Sequence, residues 1–492
     1  MRFKGGLAVM TTDSDFKKNF IIFGAGYKGK ECYAFLKQEN RHISFFTDND
    51  AAKWGKDIDG IPIRSPMDIK KSDPENTLIV IACAEGEPTI RHQLICMGLY
   101  AEYRCISFLE LCTLKMKPYY LEQDRIIQSS YPNTKECEEL LYDFQIFAEQ
   151  KNGGISRYFH EIISRIAMRC SVDLFEGLNE NHNSLIHEKG SFNRYYRRDG
   201  EGIWECQNIL NCSLFHSFVK NKKYKLYHPT YYHNYELDNS RACIITVYDM
   251  IHELYQMDQR TISEKKNMVF KADGIIAISE NTKKDLIDIY NVDEEKIKVI
   301  YLANSLAVNV TSPRIVKEPY ILYVGNRGGY KNAETLLYAF AGSRYNKNLK
   351  IVFFSGGAFT DREKQIVTEL KLENDIELLS GDDVVLANLY KYAEIFVYPS
   401  LYEGFGLPIL EAMHYGTPVI TSDSSSLPEV GGDAAVYFNP DSADELAECI
   451  DRLLDDKELR RKMGQAGMLW EKMFSWDKSA EEHMKLYEQF FN

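Results

Sequence analysis

The residues best equipped for chemistry lie in the run Pro399-Ser400-Leu401-Tyr402-Glu403-Gly404-Phe405-Gly406-Leu407-Pro408-Ile409-Leu410-Glu411-Ala412-Met413, where seven residues separate two glutamates. An apolar strand ending at Tyr398 precedes them, two glycines permit a sharp loop, and Pro408 suits a first helical turn, where its missing N–H is no loss. The pattern predicts a helix to Tyr415 with Gly416 as its stop. Glu411 then lies about one turn inside the helix and Glu403 on the loop before it. Both carboxylates can face the crevice at the carboxyl ends of parallel strands, where open α/β sheets bind ligands.

A second group of chemical residues lies upstream. Tyr320–Val324 reads as a strand, 325–332 as the loop Gly-Asn-Arg-Gly-Gly-Tyr-Lys-Asn, and Ala333 onward as a helix. Arg327 could bind phosphate oxygens bidentately and Lys331 could act as a point charge, or both could be a solvated surface pair. Fixed cations and helix N-termini stabilise charge on a departing phosphate, and could stand in for a metal.

The elements needed to hold these residues recur along the chain. Strands are expected at Leu349–Phe354, Ile376–Leu379, Ile395–Tyr398 and Pro418–Thr421, alternating with helices, so a parallel doubly wound sheet is the natural solution. Upstream, Tyr142–Ala148 reads as a strand, Lys151–Gly154 as a loop and Ile155–Met168 as a helix. More strands follow at Ala242–Val247, Gly274–Ile278 and Lys298–Tyr301, with a helix over Glu280–Tyr290. At the start of the chain Phe20–Phe23 runs into Gly24-Ala25-Gly26-Tyr27-Lys28-Gly29, a GxGxxG turn opening a helix, and Ile43–Phe46 ends near Asp48. Leu78–Ala82 completes a βαβαβ pattern. Gly24, Gly26, Gly29 and Asp48 form a candidate accessory nucleotide site, because such a turn admits a diphosphate and an acidic residue there can bind a ribose hydroxyl. A docking or stabilising domain without ligand is the alternative.

Here the chain resembles known families. The Glu403–Glu411 segment is similar to the paired-glutamate signature of the retaining glycosyltransferases of family 4. Asn152–Tyr158 (NGGISRY), Val247–Glu253 (VYDMIHE), Ala277–Leu286, Tyr323–Asn332 and Ser424–Ala435 agree with it in order. The resemblance covers residues 140–492 and implies an α/β chain with the GT-B fold, two Rossmann-like domains facing a cleft. The first stretch is similar at the level of pattern to the Rossmann-like nucleotide-sugar-binding domain of some bacterial sugar acetyltransferases. The implied organisation is an accessory domain at 1–115, a linker at 116–139, an acceptor-side domain at 140–312, a donor domain at 313–474, and a helix at 475–492 packing back on the acceptor-side domain.

The resemblance also implies roles. Glu403, Arg327, Lys331 and His252 would be catalytic, with Arg327 and Lys331 on the diphosphate and Glu403 on the transferred sugar. Gly153, Gly154, Tyr248, Asp249, Glu411, Gly404, Phe405, Gly406 and Leu407 would bind the donor, with Glu411 on the ribose hydroxyls. Many relatives carry a histidine where this chain has Tyr248, which leaves that role open among Tyr248, His252 and His228, or absent. Ser424–Ser426 and Glu429 would shape the far wall of the cleft, although Glu429 could equally cap a helix. The implied donor is GDP-mannose or a UDP-hexose, used without metal or other cofactor. The implied acceptor is a saccharide or lipid-linked saccharide, in bacterial surface polysaccharide synthesis. A glycoside hydrolase or a noncatalytic scaffold are the competing readings.

Composition bounds the rest. The 492 residues carry 59 Lys plus Arg against 72 Asp plus Glu, a net charge of −13 that argues against a nucleic-acid partner. No apolar run is long enough for a signal peptide or a membrane span, so a cytoplasmic protein is expected, with peripheral contact at the inner membrane face. Arg194–Arg198 and Lys220–Lys225 mix cations with aromatics and could meet an anionic lipid headgroup or remain solvated surface. The 11 cysteines, scattered and without a CxxC pair, are expected to be reduced thiols.

Overall fold

Short apolar runs that end in glycine-bearing loops become buried parallel strands, and the amphipathic stretches between them become the covering helices. The computed structural model describes residues 18–83, 86–112, 121, 125, 137–151, 153–177, 179, 181, 183, 191–193, 204–220, 222–232, 237 and 240–491. Arg194–Arg198, Asn152, Asn221 and most of the stretch 116–139 lie outside them. The chain divides into two compact units, residues 1–135, 175–180 and 192–222, and residues 136–174, 181–191 and 223–492.

In the first unit Asn19–Phe23 pairs in parallel with Ile43–Thr47 on one side and Thr77–Ile81 on the other. Arg104–Ser107 and Ile61–Arg64 extend the two sides, and the short Asp57–Ile58 adds an antiparallel edge. The helix Tyr27–Gln38 buries Cys32, Phe35 and Leu36 against this sheet.

The second unit is built around two further sheets. In one, parallel strands run in the order Ile297–Val299, Gly274–Ala277, Ser240–Val247, Lys223–His228, Cys137–Tyr142, with the segment 172–174 paired beside the last. Two sequence expectations are corrected here. The strand stops at Tyr142 rather than starting there, and Gln145–Glu149 is helical. The cause is Asp143, whose carboxylate accepts the Gln145 N–H at 3.2 Å and the Thr230 N–H at 2.9 Å and so turns the chain. From Lys223 the cationic stretch at 220–225 enters the strand Lys223–His228: Tyr224 and Leu226 are buried, while Lys225 lies 3.7 Å from Glu139.

The other sheet is ordered Ile376–Leu379, Lys350–Phe354, Tyr320–Val324, Ile395–Tyr398, Val419–Ser422, Ala435–Phe438, all parallel. Its strands match the sequence reading to within a residue or so, and Ala435–Phe438 is an addition. One apolar cluster runs from Tyr142 and Ile162 to Phe396 and Leu410, so the two sheets share a core. The helix Trp476–Tyr487 packs on Gly154–Ile166.

Among the described residues eight cysteines are free thiols, and Cys112 is in a disulfide, which corrects the all-reduced expectation at that position. Among the described residues no helix is long and apolar enough to cross a membrane, and no group of three or more His, Cys, Asp or Glu could hold a metal ion.

Candidate functional site

The third sheet has its topological switch between Tyr320–Val324 and Ile395–Tyr398, since successive strands are added outward from these two in opposite directions. The loops leaving their carboxyl ends carry Lys331 and Glu403. Lys331 Nζ lies 2.8 and 3.0 Å from the two Glu403 carboxylate oxygens, and both side chains are largely buried. The Tyr330 and Tyr398 rings stand 5.1 and 5.8 Å from the ammonium. Burial alone would lower the Lys331 pKa, but Glu403 outweighs it and holds the pKa above the usual lysine value. The loop is pinned by Asn332, which donates to the Pro399 and Pro440 carbonyls at 3.0 and 2.9 Å, and by the Leu401 N–H, which donates to the Tyr330 carbonyl at 2.7 Å.

Serines after the next strand hold the Glu403 loop by its backbone. Ser425 Oγ accepts the Glu403 N–H at 2.9 Å, and Ser426 Oγ donates to the Glu403 and Phe405 carbonyls at 2.9 Å each. Gly404 packs against the Tyr248 carbonyl so closely that a Cβ would lie 1.9 Å from that oxygen. Gly406, at φ +110°, opens the helix Leu407–His414 and leaves no room for a Cβ against Leu427. The Phe405 ring packs on Tyr301 and Phe474, so its side chain belongs to the core. Glu411 accepts a hydrogen bond from Tyr390 at 2.9 Å, and burial raises its pKa above the ordinary carboxylate value. The helix ends at Gly416, which has φ +74°.

Across the crevice, a Cβ on Gly154 would meet the Leu407 side chain at 3.7 Å, and Arg157 reaches Asp383 at 3.1 Å. The turn bearing Asp249 and His252 is fixed from beneath by Lys265, which donates to the Asp249 carbonyl at 3.0 Å and pairs with Glu253 at 2.8 Å. Tyr255 from this turn meets Tyr330 with ring centroids 5.5 Å apart. His252 is half-buried and makes no side-chain hydrogen bond among the described residues.

The structure places four of the sequence candidates as follows. Tyr248 turns its side chain into the core against Tyr158 and Tyr232 rather than toward a donor. His228 is fully buried between Tyr487 and Thr246, at 2.7 and 2.9 Å, as a structural histidine. Glu429 caps the helix Glu280–Tyr290, accepting the Glu280 N–H at 2.7 Å. Arg327 is committed within its own sheet's loops: its guanidinium pairs with Glu363 at 2.7 Å and is almost completely enclosed. Sequence reasoning passed over Tyr390, Lys265 and the backbone-holding role of Ser425 and Ser426. A polar residue in an otherwise apolar helical stripe was the available signal for Lys265.

In the first unit Gly24, at φ +120°, and Gly29 are required by close backbone contacts, to the Ala82 and Gly24 carbonyls respectively. Asp48 faces this turn, accepting the Ala25 N–H at 2.8 Å and pairing with Lys53 at 3.0 Å. Burial opposes its ionisation, but these hydrogen bonds and that of the Asp50 N–H hold its pKa below the usual value. Gly26 has open space beside it.

Residues 310–470 match the family model Glycosyl transferases group 1, and residues 16–106 match C2185-like, N-terminal. Lys331, Glu403 and Glu411 all lie inside the first of these matches. The chain is 28% identical over 367 residues to the O-antigen chain mannosyltransferase B of Escherichia coli, covering 68% of this chain and 95% of the relative. Sucrose-phosphate synthase from Thermosynechococcus elongatus superposes with a TM-score of 0.57 at 22% identity, over 72% of this chain and 99% of that one. Anabaena Alr3699/HepE in complex with UDP-glucose gives 0.55 at 17% identity, over 72% and 100%. These likenesses show the fold, which is GT-B.

Proposed function

We propose that this chain is a retaining hexosyltransferase, moving mannose or a similar hexose from a nucleotide-diphosphate sugar to a saccharide acceptor without a metal. The observation that carries the reading is the Lys331–Glu403 pair at the switch point, a buried cation and carboxylate that a sugar diphosphate would separate. On donor entry Glu403 exchanges the ammonium for sugar hydroxyls, and Lys331 turns to the pyrophosphate, where charge grows as the sugar leaves. Glu411, with its raised pKa, meets the ribose hydroxyls beside Tyr390. Gly153 and Gly154 bring the opposing backbone close to the donor, and the turn with Asp249 and His252 meets the donor's sugar. A diphosphate is a good leaving group already, so no general acid is required of either glutamate, unlike the pair in a glycosidase.

The name of the Escherichia coli relative supports a mannosyl donor such as GDP-mannose, with UDP-hexoses as the alternative, and an acceptor in surface polysaccharide assembly. A lipid-linked acceptor would bring the protein to the inner face of the cytoplasmic membrane. The first unit is assigned as an accessory nucleotide-sugar domain centred on Gly24, Gly26, Gly29 and Asp48.

The test is turnover of GDP-mannose and UDP-glucose with and without mannoside acceptors, with the product anomer read by NMR. Donor cleavage that depends on Lys331 and Glu403 and yields the donor's own anomeric configuration supports the reading. Hydrolysis of simple glycosides without nucleotide, or no binding of either nucleotide, overturns it.

A further inference from the structure

Arg327 has the residue type of a phosphate ligand, yet its donors are committed elsewhere. Nε donates to Glu363 at 2.7 Å, Nη1 to the Ser355 carbonyl at 3.2 Å, and Nη2 to the carbonyls of Gly356, Gly357 and Ala358 at 3.3, 3.1 and 3.0 Å. The Phe353 and Phe359 rings lie 5.6 and 4.9 Å from the guanidinium, whose side chain is 3% exposed. The carbonyls converge because Ser355, Gly356 and Gly357 all take left-handed conformations, at φ +74°, +80° and +69°. Gly356 fits the guanidinium so tightly that a Cβ would lie 2.6 Å from Nη1.

The partner carboxylate is equally occupied. The second Glu363 oxygen accepts the Thr360 N–H at 2.7 Å, closing a capping box on the helix Asp361–Glu369. Arg327 is also tied toward Lys331, because its carbonyl accepts the Ala333 N–H at 3.4 Å and Tyr323 donates to the neighbouring Asn326 carbonyl. One side chain thus joins the turn that bears Lys331, the loop after Lys350–Phe354, and the start of a helix.

We infer that Arg327 and Glu363 form a positioning pair that fixes the loop Ser355–Ala358 against the Lys331 turn, and that Lys331, not Arg327, presents the cation to the donor's pyrophosphate. This deepens the transferase reading of the same crevice and rests on it for the identity of the ligand.

The two possible roles of Arg327 predict opposite signs. If Arg327 were a phosphate ligand restrained by Glu363, Glu363→Gln would release it and tighten binding of GDP or UDP, and Gly356→Ala would free it further. For a positioning pair, Arg327→Lys, Glu363→Gln and Gly356→Ala each weaken nucleotide binding about tenfold and raise the donor KM with kcat little changed, since each loosens the same loop. The effects should not add: Arg327→Lys combined with Glu363→Gln should bind about as weakly as either alone. Calorimetric titration of the full chain with GDP and UDP, beside donor kinetics, reads both. Tighter binding in Glu363→Gln, or additive losses, overturns the inference. If the unaltered chain binds neither nucleotide, the transferase reading fails. The clasp is then judged by thermal midpoints of the same three variants and the double variant, where additivity refutes it.

Discussion

Acidification should loosen the second unit through two histidines that have no place in the chemistry. A buried chain of hydrogen bonds runs Tyr142, Tyr487, His228, Thr246, Tyr158, His483, with contacts of 3.0, 2.7, 2.9, 3.0 and 2.6 Å, and ends on the Ser479 carbonyl at 2.7 Å. One polarity satisfies it. The Ser479 carbonyl only accepts, so His483 Nδ1–H donates and Nε2 accepts from Tyr158. Thr246 must then donate to Tyr158 and accept from His228 Nε2–H, while His228 Nδ1 accepts from Tyr487. Both rings are neutral, and a proton on either breaks the sequence.

Burial lowers the His483 pKa to about 4, and burial together with His483 lowers that of His228 well below the usual value. In the unfolded chain each titrates near 6.5. The unfolded state therefore binds more protons below that pH, and stability falls as pH falls from about 6.5 toward about 4. At about 1.36 kcal/mol per pH unit, His483 removes about 2 kcal/mol between pH 7 and pH 5, and His228 acts in the same direction. Urea unfolding followed by the fluorescence of Trp476, which is buried and bonded to Ser305 at 2.8 Å, reports the loss. His483→Gln should be less stable at pH 7 yet lose about 2 kcal/mol less on acidification to pH 5. Equal pH dependence of the two proteins, or an NMR titration showing either imidazole protonating near pH 6.5, would refute the argument.

Other outcomes follow from the crevice. Lys331→Met should lower kcat by about 10²–10³-fold, the loss expected when a preorganised charge stabiliser is removed, measured as donor turnover. Glu411→Gln should weaken GDP or UDP binding about tenfold by calorimetry, because a charged acceptor becomes a neutral one. Gly404→Ala places a methyl 1.9 Å from the Tyr248 carbonyl and should destabilise the unit by about 3 kcal/mol in urea unfolding while raising the donor KM.

The sequence made the parallel strands and the paired-glutamate loop readable because both rest on local rules, apolar runs ended by glycine and a proline opening a helix. It misled where a side chain's direction depends on distant partners. Arg327 has the right type and neighbourhood for phosphate, but Glu363 and the left-handed Ser355–Gly357 turn that claim it stand on another loop. Tyr248 and His228 were ambiguous for the same reason, since their partners Tyr158 and Tyr487 come from separate helices. Lys223–His228 was legible in principle: lysines alternate with Tyr224 and Leu226 at the period of a strand, and charge drew attention from that alternation.

The contact between Tyr142 and Tyr487 joins residues 345 positions apart, and it sets a schedule for biosynthesis. At about 5–20 residues per second, a ribosome delivers the second tyrosine roughly 17 to 70 seconds after the first. Until then the strand Cys137–Tyr142 waits with an unfinished interior, and the nascent chain must be kept from aggregating over that interval. A fusion or cleavage that prevents Trp476–Tyr487 from seating would therefore damage the half of the protein made earliest in this unit, far from the altered sequence.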